Sequence, residues 1–155
     1  MRRVQVGDRV PDVLLKTQSG QQIRLSDFQG SKVVVLFFYP KDGTSICTRE
    51  ACAFRDAYDR FVEAGAVVIG VSADSAESHG VFAARHHLPF HLVSDEGNAL
   101  RRAFGVPKTL GFLPGRVTYV IDQAGAVRLI FNAQLTADRH VEEALKIVEQ
   151  LAAPR

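Results

Sequence analysis

The sequence predicts an α/β protein with a mixed central β-sheet flanked by helices and preceded by an N-terminal β-hairpin. Three observations carry this prediction. Two runs, 33–39 and 66–71, are apolar throughout and rich in β-branched and aromatic residues, as in strands covered on both faces. A helical pattern separates them, so they form a βαβ unit with parallel strands and a right-handed crossover. Late in the chain, 117–121 and 127–131 flank Asp122-Gln123-Ala124-Gly125, a hairpin that adds antiparallel strands to the same sheet.

The elements follow in order. Val13-Leu14-Leu15 and Gln22-Ile23-Arg24-Leu25, split by Thr17-Gln18-Ser19-Gly20, read as the N-terminal hairpin. Ser26-Asp27-Phe28-Gln29-Gly30 is one capped helical turn closed by its glycine. After the strand 33–39, a helix starts near Thr44 and continues to about Ala64. Its apolar positions Ala51, Phe54, Tyr58, Phe61 and Val62 recur at spacings of three and four, and Gly65 ends it. The strand 66–71 follows, and Asp74-Ser75-Ala76-Glu77 resembles a capping box that opens a second helix stopping before Pro89. A short strand 90–93, a brief helix 98–104 and a Gly/Pro-rich connector 105–115 lead to the late hairpin. The last helix starts near Thr136 and carries Val141, Ala144, Leu145, Val148 and Leu151 on one stripe. No repeat, linker or low-complexity tract interrupts the 155 residues, so a single domain over 1–155 is expected.

Composition excludes several classes. The net charge of +2 comes from interspersed residues, and the basic clusters Arg2-Arg3 and Arg101-Arg102 are too small to track a phosphate backbone, so no nucleic acid is expected. No apolar run approaches the roughly 20 residues of a membrane span, and the N-terminus lacks the apolar core of a signal peptide. A cytoplasmic protein with no membrane partner is expected. Two cysteines in a reducing compartment argue against a structural disulfide. Their C-x4-C spacing cannot close a four-ligand zinc site unaided. His86, His87 and His91 lie on another segment. No metal and no organic cofactor are expected.

The chemistry concentrates where the strand 33–39 turns into the following helix. Cys47 falls in the first helical turn, where backbone N–H groups lack intrahelical partners and the helix dipole is positive. Such surroundings favour a thiolate over a thiol. Pro40 fixes φ at the turn, and Thr44 either caps the helix or points its hydroxyl at whatever approaches the sulfur. Position alone leaves open a small buried cysteine behind an ordinary threonine cap.

The surrounding residues go further. Pro40-x-x-x-Thr44-x-x-Cys47 resembles the active-site signature of the peroxiredoxins. The longer Phe37-Phe38-Tyr39-Pro40-Lys41-Asp42-x-Thr44-x-x-Cys47-Thr48-x-Glu50-Ala51-x-x-Phe54-Arg55 is similar to the peroxiredoxin Q subfamily, also called bacterioferritin comigratory protein. Ordered matches extend from Val6-Gly7-Asp8 through Val71-Ser72-x-Asp74 to Arg116-Val117-Thr118-Tyr119-Val120-Ile121-Asp122. The resemblance implies a thioredoxin-like fold and a thiol-dependent peroxidase that reduces hydrogen peroxide and organic hydroperoxides. It implies Cys47 as the peroxidatic cysteine and Arg116 as the residue that reaches its sulfur. Arginine's planar fork suits that role, since it can donate to sulfur and peroxide together. Glu50 is expected to support the site rather than act as a base. Where the subfamily usually reads Thr-Pro-Gly-Cys, this chain reads Thr44-Ser45-Ile46-Cys47, which removes a preset φ and adds bulk beside the sulfur.

Cys52 lies five residues after Cys47, the spacing of the subfamily's resolving cysteine when both share a helix. In an intact helix their Cα atoms would be about 8.6 Å apart. A disulfide needs less than about 7 Å. Forming it therefore requires the first helical turns to unwind. The implied cycle ends with reduction by thioredoxin or a glutaredoxin-like protein, and the expected assembly is a monomer or weak homodimer. Two other functions share the residues. A thiol–disulfide oxidoreductase is weakened by the missing Cys-x-x-Cys, since Thr48-Arg49-Glu50 follow Cys47. A non-enzymatic peroxide sensor or holdase would use the same thiol as a switch.

Overall fold

The structure is a computed structural model that describes residues 3–108 and 115–152. Arg2 of the first basic pair and the middle of the 105–115 connector lie outside those residues.

The two apolar runs are the central strands. β3 (Val33–Phe38) is buried along its whole length and pairs in parallel with β4 (Ala66–Ser72). β4 pairs in parallel with β5 (His91–Ser94). On its other edge β3 runs antiparallel to β6 (Val117–Ile121), which continues into β7 (Val127–Asn132). The order β5-β4-β3-β6-β7 is the expected mixed sheet. β1 (Leu14–Lys16) and β2 (Gln22–Arg24) form a separate hairpin, followed by a 3-10 turn over Leu25–Phe28.

Alternation along β3 divides the core. Val33, Val35, Phe37 and Tyr39 face one layer, where they meet α1 (Ser45–Asp56), α2 (Tyr58–Glu63), α3 (Ala76–His86) and α5 (Ala137–Ala152). Val34, Leu36 and Phe38 face the other, covered by α4 (Ala99–Phe104), the hairpin and the 3-10 turn. Phe54 of α1 stacks on Phe37 with ring centroids 4.4 Å apart, which fixes α1 against the end of β3.

Two expectations need correction. The single helix 44–64 is two helices, because Ala57 sits at φ −95°, ψ 3°. The half before it packs on α5 and the half after it on β4, so tertiary packing bends a segment whose alanine shows no break. At α3 the cap is Ser75, whose Oγ accepts from Ser78 N at 3.1 Å, one position later than the expected box. Asp74 is drawn away because its carboxylate accepts from Ser72 Oγ and from the backbone N–H of Asp42.

Candidate active site

β3 delivers the chain into the turn 40–44. Gly43 takes φ +79° there, which a residue with a Cβ rarely adopts. Thr44 is the N-cap by backbone geometry, but its side chain does not cap. Its hydroxyl donates to Lys41 O at 2.9 Å, tying the turn to itself. Ser45 opens α1, so Cys47 is its third residue. The first bond of the helical ladder is Thr48 N to Thr44 O at 2.8 Å, which leaves the Cys47 amide outside the ladder.

Cys47 is 1% exposed, and Arg116 donates from Nη2 to its Sγ at 3.2 Å. Register explains how a residue 69 positions away arrives there. β6 runs antiparallel to β3 with Val117 opposite Phe38, so the preceding Arg116 comes to the strand end where the turn begins. The rest of its fork is already occupied. Nη1 donates to Glu50 Oε1 at 2.7 Å and Nε to the carbonyl of Gln134 at 3.0 Å. Arg116 is 2% exposed, and its guanidinium is held in one orientation before any substrate enters.

Arg116 meets Cys47 where the turn that carries Pro40 and Thr44 enters α1. Cys52 lies half-buried farther along the same unbroken α1, and both cysteines are free. It is not joined to Cys47, and a spacing of five along an intact helix puts the two Cα atoms beyond disulfide reach.

Four residues escaped the sequence reading. Arg101, taken as part of a surface pair, donates to Tyr39 O and Gly115 O, both at 2.9 Å, and lies over the Phe38 ring. It fastens the end of β3 to the segment that carries Arg116, and burial holds its guanidinium below the ordinary arginine range. Its spacing of three from buried Phe104 was the available signal.

Asp42 is the second. Tyr39 OH donates to its Oδ1 at 2.5 Å, Ser78 Oγ to its Oδ2 at 2.9 Å, and His79 Nδ1 lies 2.7 Å from Oδ2. Burial pulls its carboxyl upward, yet the donors, His79 first, hold it below the usual carboxylate range. The third, His79, is fully buried and donates from Nε2 to Val93 O at 3.0 Å, so the turn is bolted to α3 and β5. The fourth is His140 of α5, also fully buried, beside Glu50. Both histidines fall on the apolar stripes of their helices, at spacings of three from Phe82 and four from Ala144, where a polar residue signals a specific partner.

Asp42, Asp74 and His79 also lie close enough together to suggest a metal site. Each already has a protein partner, and together they serve to hold the turn.

A family model described as "AhpC/TSA family" matches residues 6–130. A protein named "Peroxiredoxin Q, chloroplastic" from Sedum lineare is 50% identical over 150 residues, spanning 96% of this chain and 80% of its own. Its namesake from Arabidopsis thaliana is 49% identical over 148 residues, 95% of this chain and 68% of its own. The crystal structure of the peroxidoxin BcpB from Mycobacterium tuberculosis superposes with a TM-score of 0.88 at 35% identity, covering 96% of this chain and 99% of that one. A structure of the Xanthomonas campestris bacterioferritin comigratory protein, from work on its alkyl peroxide reduction, gives 0.85 at 29% identity, covering 94% and 100%.

Proposed function

We propose, from the premise that this chain belongs to the AhpC/TSA family and within it to the peroxiredoxin Q branch, that its peroxidase chemistry runs through Cys47, Arg116 and Cys52. The protein is a thiol peroxidase with peroxide as its substrate. The single observation that carries the assignment of residues is the contact between Arg116 Nη2 and Cys47 Sγ, made by a guanidinium whose other nitrogens are already held.

In the first half-reaction the Cys47 thiolate attacks the terminal oxygen of the peroxide. An S–O bond forms, the O–O bond breaks, and the leaving oxygen takes the electron pair and a proton to depart as water or alcohol. Arg116 donates to the sulfur and to the departing charge, while the Cys47 amide and Thr44 orient the peroxide and Pro40 shapes the turn. In the second half-reaction the first turns of α1 unwind and the Cys52 thiol attacks the sulfenic sulfur. An S–S bond forms and water leaves. A dithiol of the thioredoxin or glutaredoxin class then returns both cysteines to thiols.

The remaining assignments are of the same kind. One domain over 1–155 is supported by two core layers that share one sheet. A monomer or weak homodimer is supported by the exposed large apolar residues, Val6, Leu14, Val62, Val81 and Leu135, which lie on separate segments. Among the described residues no helix is long and apolar enough to cross a membrane. Cytoplasmic placement belongs to the same reading, since two cysteines that must return to thiols suit a reducing compartment.

The decisive assay is peroxide consumption coupled to thioredoxin. Turnover that vanishes in Cys47→Ser and stops after one equivalent in Cys52→Ser is the expected result. Undiminished recycling in Cys52→Ser would remove the resolving role. Stoichiometric oxidation of the wild-type protein without turnover would point to a sensor instead.

A further inference from the structure

Glu50 is the one buried carboxylate beside the sulfur among the described residues, and the reaction steps above leave it without a task. It is fully buried at 0% exposure and shares Arg116 with Cys47: Oε1 accepts from Nη1 at 2.7 Å, and Sγ accepts from Nη2 at 3.2 Å. One guanidinium thus stands between two groups that can each carry a negative charge. Arg101 also acts on the sulfur, but its guanidinium is bonded to Tyr39 O and Gly115 O and also faces Asp95, so two anions on Arg116 in a dry interior would be poorly compensated.

The second oxygen of Glu50 shows which form is accommodated. Oε2 has no hydrogen-bond partner among the described residues, and His140 Nδ1 lies 3.5 Å from it. His140 Nε2 lies 2.7 Å from Ala133 O, an atom that only accepts, so Nε2 carries the ring proton. Burial, joined by Arg116 and opposed by Ala133, brings His140 down to about 4, so the ring is neutral near pH 7 and Nδ1 is a lone pair. That lone pair accepts from the Thr118 hydroxyl at 2.8 Å. A charged Oε2 would therefore face an electron-rich nitrogen with no donor to compensate it, whereas protonation removes the charge from this unpartnered, buried oxygen. Consistently, burial pushes Glu50 up to about 7 against the pull of Arg116.

We propose that Glu50 is a positioning residue that holds a proton while Cys47 is a thiolate and gives it up when Cys47 becomes a sulfenic acid. Arg116 then faces one negative charge throughout, first the sulfur and afterwards Glu50. The charged and titratable groups around the pair are Cys47 on the same helix, Arg116 ahead of β6, His140 on α5 and Arg101 on α4, which interacts with both Cys47 and Arg116. The step balances: thiolate, protonated Glu50 and hydroperoxide become sulfenic acid, Glu50 carboxylate and alcohol. Sulfur loses two electrons to the peroxide bond, and no proton is drawn from solvent. This rests on the assignment of Cys47 made above.

The test counts protons in the Cys52→Ser protein, which stops at the sulfenic acid. One equivalent of hydrogen peroxide is added in weak buffer at about pH 6, below the Glu50 value, with an indicator dye and a sulfenic-acid trap. The expected uptake is near zero with Glu50 present and about one proton per sulfenic acid when Glu50→Gln is added. Equal uptake in the two proteins overturns the proposal. Failure of either to form a sulfenic acid at Cys47 would overturn the site assignment instead. Should Glu50→Gln not fold, infrared spectroscopy of the Cys52→Ser protein decides the matter. A protonated-carboxyl band that disappears on oxidation supports the proposal, and an unchanged spectrum overturns it.

Discussion

Replacing Arg116 by lysine keeps a positive charge and removes the fork. In the wild-type protein three nitrogens act at once, Nη2 on Cys47 Sγ, Nη1 on Glu50 Oε1 and Nε on Gln134 O. A lysine ammonium is a single point on a flexible stem and cannot reach both Sγ and Oε1 in that geometry. At least one charge-assisted bond is lost, worth about 1.5–3 kcal/mol. If the lost bond is the one to the sulfur, each 1.36 kcal/mol is tenfold in rate, so Cys47 oxidation slows by roughly 10- to 150-fold. Stopped-flow measurement of the second-order rate constant with hydrogen peroxide, in a variant whose circular dichroism matches wild type, reads the effect directly. A rate within twofold of wild type would refute the claim that the fork, rather than positive charge alone, activates the sulfur.

Two further outcomes follow from the buried groups. Asp42→Ala leaves the Tyr39 hydroxyl and the His79 Nδ1 side without their acceptor, at about 1–3 kcal/mol each, so the protein loses about 2–6 kcal/mol. Thermal denaturation should show a drop of several degrees or more, and an unchanged melting temperature would mean that the bolt between turn and α3 carries no stability. Glu50 and His140 act oppositely on stability. Glu50, raised in the folded state, costs stability as pH rises from its unfolded value toward about 7. His140, lowered in the folded state, costs stability as pH falls from its unfolded value toward about 4. Glu50→Gln should therefore gain on wild type, by about 2 kcal/mol, as pH rises from about 5 to about 7. Urea unfolding across that window would contradict the assignment if the difference stayed flat.

Much of this was legible in the chain because a few signals were local and strong. The uninterrupted apolar runs located β3 and β4, and the residues from Pro40 to Cys47 located the turn and the start of α1. Arg116 was found through resemblance, and the antiparallel register of β6 on β3 supplies the physical reason for its position. What stayed hidden depends on long-range partners. The bend at Ala57 arises from packing on α5 and β4, and alanine carries no mark of it. Asp74 reads as a cap until Ser72 and the Asp42 amide are seen to claim it. Thr44 reads as a cap or as a hydroxyl facing the sulfur, yet Lys41 O takes its hydroxyl hydrogen. Arg101 looked like a surface charge because its acceptors, Tyr39 O and Gly115 O, are backbone atoms distant in sequence. His79 and His140 sit on apolar stripes, where a sequence shows an anomaly but not its partner.

The reaction cycle depends on α1 being intact when Cys47 meets peroxide and unwound when Cys52 replies. Arg49 lies between the two cysteines, so trypsin cuts the chain there and separates peptides 42–49 and 50–55 unless a disulfide joins them. Tryptic mass mapping of the full-length protein under non-reducing conditions, after one equivalent of peroxide, is the most direct test. The expected result is one linked mass that splits into the two peptides on reduction. Two separate peptides, with added oxygen on 42–49 and an unmodified Cys52 on 50–55, would contradict it.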